Sequence, residues 1–361
     1  MATTTQLDFS LFHSANPTVR TSFCKKLVTT LYQNGFARLI NHGVVPSSEI
    51  DKAFETSRKF FHLPLSQKLL SPHPASVHPH RGYSAFGIEN VSAASKTFES
   101  DSPPIPMLKD MKESYDMGSP LDPLYANIWP PGGVYDDFQK VMERFFGVCY
   151  RAELEVLEAL EVGLGLGLLA GSGNGGGGGG GLRDLHRDGT NELRLTHYPP
   201  VRVGEFGGFG FGSGGEDDGD GKGNEARKTR IAAHTDFGSV TLLFQDSVGG
   251  LQAALPPKSS NFIEIESGNP HEIILLVGDC LEKLTGLPAC RHRVHLPDAL
   301  KTEKEGEEGE GEVDARFSIA YFGKPDREAS LRPLVEGLVR EGVEKYMTAG
   351  EFQEMRIQGT Y

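Results

Sequence analysis

The sequence predicts a mixed α/β chain, mainly β, in which a helical N-terminal region leads into a jelly-roll core. Three observations carry this expectation. Apolar residues in the first 60 or so positions recur at helical spacing. One long amphipathic stretch follows near the middle of the chain. Beyond it the apolar period falls to two, in short runs parted by turns.

Val19, Phe23, Leu27 and Leu31 lie near helical spacing over residues 17–34, and Gly35 supplies a left-handed stop. Phe36-Ala-Arg-Leu-Ile40 reads as a short strand and Asn41-His42-Gly43 as a turn. Ser48 is expected to cap a second helix, with Asp51 three residues on and Phe61 near its end. Residues 71–132 are rich in Pro and Ser and hold His80-Arg81-Gly82-Tyr83. A long helix is expected over about 134–162, where Phe138, Val141, Met142, Phe145, Cys149, Ala152, Val156 and Leu160 form an apolar stripe. Residues 193–198, 240–244, 273–277 and 317–322 read as strands. A last helix, at about 327–347, and a polar tail end the chain.

Composition narrows the function classes. The net charge of −13 argues against an electrostatic nucleic-acid binder. No run of about 18 apolar residues suggests a membrane span. The start, MATTTQLDFS, has neither the basic nor the apolar part of a secretory signal. Cys24, Cys149, Cys280 and Cys290 follow no pairing or metal pattern and read as reduced thiols of a cytoplasmic chain. Glycine is abundant, 45 of 361 residues, but the excess is local. Residues 163–181 hold 12 glycines, 204–228 hold 10 and 301–313 hold 3, and elsewhere glycine falls to the ordinary frequency of about 7%. The second and third segments carry net charges of −3 and −4, leaving −6 for the rest. Such segments bury too little apolar surface to offset their ordering entropy, so three low-complexity loops are expected.

The chemistry concentrates in a few residues. His234-Thr235-Asp236 opens a strand, and residues i and i+2 of an extended chain share a face. His292 lies 58 residues later. Two histidines and one carboxylate suit a non-haem Fe(II) site with open coordination positions. A zinc hydrolase is disfavoured, because no general base accompanies the pair as the Glu of HExxH does. Arg316 and Ser318 share a later strand face, and a guanidinium beside a hydroxyl suits a carboxylate ligand. Arg194 and Thr196 share a face with Tyr198; Arg194 suits either an acidic group or an ion pair at the barrel rim. Trp129 suits core packing or a substrate platform. His13, His73, His78 and His80 read as solvated.

Taken together these residues resemble the 2-oxoglutarate- and Fe(II)-dependent dioxygenases of the isopenicillin N synthase-like family, in its fungal type. The resemblance covers nearly the whole chain outside the three inserts. It rests on Gly35-Phe36, Asn41-His42-Gly43, Phe60-Phe61-x-Leu63-Pro64, Lys68 and Arg81-Gly82-Tyr83. It continues through Asp110-x-Lys112-Glu113, Gly118, Asn127-Ile128-Trp129-Pro130 and His197-Tyr198-Pro199-Pro200. His234-x-Asp236-Phe-Gly238, Gly249-Gly250-Leu251-Gln252, Gly278-Asp279, His292-Arg293-Val294 and Arg316-x-Ser318 complete it in the family's order.

The resemblance implies a distorted double-stranded β-helix with a helical N-terminal region. It implies an N-terminal region over 1–125, then the long helix and catalytic jelly roll over 126–361. His234, Asp236 and His292 would bind iron; Arg316 and Ser318, with Tyr198, would bind 2-oxoglutarate. Phe322 would line the substrate pocket, with Arg194, Thr196 and Trp129 as further candidates. The implied reaction oxidises a C–H bond of a small molecule, such as a secondary metabolite, by hydroxylation, desaturation or ring formation. It consumes O2 and releases succinate and CO2, and ascorbate is an expected stimulant. The implied partner is that small molecule, with no nucleic acid or membrane and a monomer as the working unit. The alternatives are an oxidase of the same fold that does not use 2-oxoglutarate, and a catalytically dead binding protein. Three departures from the family stand out: Thr196 where many members carry Asn, no Ser-Thr pair before His292, and Arg316 as far as 24 residues after His292.

Overall fold

In the computed structural model the described residues are 6–74, 80–89, 110–166, 181–187, 189–202, 229–266, 268–297, 312–339, 343 and 345–357. Most of each low-complexity segment (167–180, 204–228 and 301–311), together with His78, lies outside them.

The opening helix α1 spans Pro17–Asn34. Asn16 caps it by accepting the Thr18 N–H, Pro17 fills the first turn, and Gly35 ends it at φ 74°. A side chain at Gly35 would also crowd the backbone of Pro288 and Cys290. Strand β1 (Gln6–Asp8) runs parallel to β2 (Phe36–Ile40). Helix α2 spans Ser47–Phe61, one residue ahead of the expected cap. Pro46 starts it instead, its carbonyl accepting the Glu49 and Ile50 N–H groups, so Ser48 sits inside the first turn. A short helix α3 (Leu65–Lys68) follows.

The Pro/Ser-rich region contributes two strands, β3 (Gly82–Ser84) and β4 (Glu113–Gly118). The long helix α4 spans Phe138–Leu164, four residues later than expected at its start. There the Asp136 carboxylate accepts the Gly133 N–H at 2.6 Å, a local turn that competes with helix.

The remaining strands are β5 (Glu192–Tyr198), β6 (Val201–Arg202), β7 (Thr229–His234), β8 (Val240–Gln245), β9 (Leu251–Ala254), β10 (Phe262–Glu264), β11 (Ile273–Val277), β12 (His292–His295), β13 (Glu312–Val313) and β14 (Arg316–Gly323). Helix α5 (Asp279–Thr285) follows β11. The expected helix at 327–347 is not formed: the described part is irregular, with one 3-10 turn at Glu336–Leu338. The N–H of Leu331 bonds Met347 O, that of Leu334 bonds Leu284 O, and Pro333 has none, so helical bonding is lost. The C-terminal helix α6 comes later, at Ala349–Ile357, where a polar tail was expected.

Two sheets face each other. The larger runs β1-β2-β11-β8-β14-β5-β4-β3, with strands from both sides of the expected 125/126 division. The smaller runs β10-β9-β12-β7, and β6 and β13 form a separate ribbon. Alternation along the large sheet's strands sorts the core. Ala37, Leu39, Leu193, Leu195, Ile319 and Tyr321 turn outward and pack with α1, α2 and α4. Phe36, Tyr198, Leu243, Ile274 and Leu276 turn inward and meet Ile231, Leu251, Ala253 and Val294 of the small sheet. Among the described residues no helix is long and apolar enough to cross a membrane.

Candidate active site

Strands β7 and β12 are antiparallel neighbours, and their register sets His234 opposite His292. The two ring centroids lie 4.3 Å apart. Nδ1–H of His234 donates to Ala232 O at 2.8 Å, and Nδ1–H of His292 donates to Cys290 O at 3.1 Å. A carbonyl only accepts, so both rings carry a proton on Nδ1, which leaves Nε2 as the atom of each that faces the metal position. Oδ1 of Asp236 lies 3.8 Å from Nε2 of His234 and 3.9 Å from Nε2 of His292. One ligand atom from each of the three falls within 4.8 Å of the others, so the group could hold a metal ion. Burial, reinforced by His292, pushes His234 down to about 3 and keeps its imidazole neutral.

The turn that carries Asp236 is fixed by backbone. Asp236 O accepts the Asp279 N–H at 2.8 Å, and Gly238 O accepts the Cys280 N–H at 2.9 Å. Ser239 N–H donates to Gly323 O at 2.7 Å. A Cβ on Gly278 would stand 2.3 Å from Gly238 O, so the two segments touch main chain to main chain. From outside, Arg356 of α6 lies 2.9 Å from the Asp279 carboxylate, covers the Phe237 ring at 4.6 Å and reaches Thr235 Oγ1 at 3.4 Å.

The large sheet supplies the opposite wall. Arg316, Ser318, Ala320 and Phe322 share the inward face of β14. The register sets Tyr198, Thr196, Arg194 and Glu192 beside them in order. On the other side Gln245, Leu243 and Thr241 pair with Ser318, Ala320 and Phe322. Thr241 donates to Oδ2 of Asp236, so the Phe322 end of this row adjoins the triad. Arg316 stands at the far end, only 1% exposed. It donates to Gln245 Oε1 at 2.9 Å and Ser318 Oγ at 3.3 Å, and its guanidinium lies 4.9 Å from the Tyr198 ring. Its Nε has no partner, and among the described residues no carboxylate pairs with it. A buried cation so placed fits an incoming carboxylate.

The other sequence candidates separate. Thr196 and Phe322 lie on the inward row. Arg194 does too, but of its two readings the ion pair is the one formed. It bonds Asp116 through Nε at 2.7 Å and NH2 at 3.0 Å, and NH1 lies 3.1 Å from Glu89. Trp129 is not brought to the triad. It packs on Tyr115 and Phe138 at 6.3 and 6.2 Å, and Tyr115 belongs to the outward, helix-covered core. The solvated reading of His80 also fails: burial pushes it down to about 4, next to Arg194 at 3.5 Å. Thr241 and Gln245 went unread, although they are the polar period-two positions of an otherwise apolar strand. Nothing local marks Arg356, whose partners lie over 70 residues away.

A jelly roll that brings two histidines and one carboxylate together has the form of a non-haem Fe(II) oxygenase. Residues 6–132 match the family "non-haem dioxygenase in morphine synthesis N-terminal", and residues 192–325 match the "2OG-Fe(II) oxygenase superfamily". The chain belongs to the 2-oxoglutarate-Fe(II) oxygenases, as a non-haem iron, 2-oxoglutarate-dependent dioxygenase of the fungal type. It is 36% identical over 360 residues to the 2-oxoglutarate-Fe(II) type oxidoreductase ppzD of Metarhizium rileyi, covering 98% of this chain and 90% of that one. It is 34% identical over 362 residues to the proline hydroxylase buaE of Petromyces alliaceus, covering 99% of each. Among solved structures, a full-length Neurospora crassa protein crystallised in complex with alpha-KG superposes with a TM-score of 0.74 at 29% identity, covering 99% of this chain and 96% of that one.

Proposed function

We propose that His234, Asp236 and His292 hold the iron, and that Arg316, Ser318 and Tyr198 hold the distal carboxylate of 2-oxoglutarate. The observation that carries this reading is the convergence of two Nδ1-pinned imidazoles and one carboxylate opposite a buried arginine without a carboxylate partner. Bound iron supplies O2 activation coupled to oxidative decarboxylation of 2-oxoglutarate. The chain's own residues do the rest. The backbone carbonyls of Ala232 and Cys290 keep the imidazole lone pairs turned to the metal position. Thr241 orients the carboxylate of Asp236. Arg316 and Ser318 fix the co-substrate by its far end. Thr196 and Phe322 face the same space and would hold the prime substrate with one C–H bond toward the metal.

The substrate we propose is a small secondary metabolite, and the relative called proline hydroxylase makes free proline the first compound to assay. We also propose a cytoplasmic monomer; four free buried cysteines suit a reducing compartment. Anaerobic addition of Fe(II) and 2-oxoglutarate is expected to give a visible charge-transfer band, lost in His234→Ala and in Arg316→Met. No band with the parent protein, and no succinate with any substrate, would sink the reading.

A further inference from the structure

A second buried arginine shares the chamber of Arg316. Arg230 lies on β7, in the small sheet, and is 2% exposed. Its guanidinium lies 5.9 Å from the ring of Tyr198, the same ring that Arg316 covers at 4.9 Å. Among the described residues the one hydrogen bond of its side chain is long, 3.4 Å from NH2 to Pro199 O, and no carboxylate lies within ion-pair distance. Asp246, whose charge acts on Arg230 without touching it, spends its oxygens on the backbone N–H groups of Phe317 and Val248. Burial and the neighbouring Arg316 push Arg230 down to about 10, which leaves it charged at neutral pH.

Two like charges, both desolvated and neither in ion-pair contact with a carboxylate, are expensive to keep together. Such a pair fits a ligand that brings the missing negative charge. We infer that Arg230 is a second guanidinium for the distal carboxylate of 2-oxoglutarate, acting beside Tyr198 together with Arg316. This rests on the reading of Arg316 given above and adds a residue from the facing sheet. The carboxylate would then be gripped from both sheets, and keto acids without a distal carboxylate would gain nothing from Arg230.

The test is Arg230→Met, full-length and loaded anaerobically with Fe(II), read by calorimetric titration. One charge-assisted contact is worth about 1.5–3 kcal/mol, so the 2-oxoglutarate Kd is expected to rise about 10- to 150-fold. The Kd of 2-oxobutyrate, which has the same keto acid end and no distal carboxylate, is expected to stay within about twofold. The melting temperature of the ligand-free variant is expected to rise, because an unmatched buried charge has been removed. A 2-oxoglutarate Kd unchanged within threefold overturns the inference. So does an equal loss for both keto acids, or a variant that cannot fold, since Arg230 is then structural. Arg316→Met is the control for the underlying reading: if it leaves 2-oxoglutarate affinity intact, that reading fails whatever Arg230→Met does.

Discussion

Thr241 donates its hydroxyl to Oδ2 of Asp236 at 2.6 Å, which leaves Oδ1 facing both imidazole Nε2 atoms. The bond crosses from the large sheet to the turn that leaves the small one. It therefore sets the carboxylate's rotation before any metal arrives. Thr241→Val keeps the shape and removes the donor. Outer contacts of this kind are worth about 10- to 100-fold in metal affinity. Anaerobic Fe(II) titration of Thr241→Val is expected to show a loss of that size, and parent-like affinity would show that Asp236 is oriented by other means.

The Asp236 turn is also held from outside by Arg356. Arg356→Ala is expected to cost about 1–3 kcal/mol of stability, because it strands the buried Asp279 carboxylate. Chelator challenge should strip iron from the variant faster than from the parent. Equal stripping rates together with a lowered melting temperature would confine Arg356 to holding the fold.

Gly278 meets Gly238 with no room for a side chain. In Gly278→Ala the added Cβ strikes a backbone oxygen, which a rotamer change does not relieve. A loss of roughly 1–3 kcal/mol is expected, read by denaturant unfolding. Iron content should fall with it, since Asp236 O is bonded one residue further on, at the Asp279 N–H. A variant as stable as the parent would mean that the two turns slide apart freely.

Glu153 of the long helix gives a pH dependence. One oxygen accepts from Asn191 Nδ2 at 2.5 Å and Tyr321 OH at 3.2 Å; the other has no hydrogen bond and lies 4.0 Å from His186. Burial lifts the carboxyl to about 8. Between the ordinary carboxylate range and pH 8 the folded chain keeps a proton that the unfolded chain has released. Stability from this group is full below the unfolded value and is lost as pH rises through about 8. The swing is roughly a few kcal/mol. Glu153→Gln keeps the shape without the titration, so its melting temperature should decline less between pH 5 and pH 9. Parallel curves for the two proteins would show that Glu153 is ionised when folded.

Much of this was legible in the sequence where the cause is local. Gly35 after an apolar stripe marked the end of a helix, and the structure places Gly35 at a left-handed φ there. His234 and Asp236 were readable as a pair two residues apart, while bringing His292 to them needed the family's order of motifs. What stayed hidden depends on contacts far along the chain. Residues 327–347 carry a helical pattern, but the amides of Leu331 and Leu334 are bonded elsewhere. Arg194 was on the right face; only the fold shows that Asp116 and Glu89 are there to claim it. Trp129 lay in a recognised phrase, yet the irregular segment that carries it packs it on Tyr115 of the sheet and Phe138 of the long helix.

The ribbon of β6 and β13 has a wider meaning. Arg202 pairs with Glu312, and Thr229 pairs with His295. Those residues are the stumps from which two low-complexity segments leave and return. Each excursion therefore starts and ends at hydrogen-bonded anchor points beside the other's. Seven net negative charges are tethered to this one spot. These paired strand ends form a grafting port, where a foreign domain or a shorter linker could be spliced in while the ends stay stitched together.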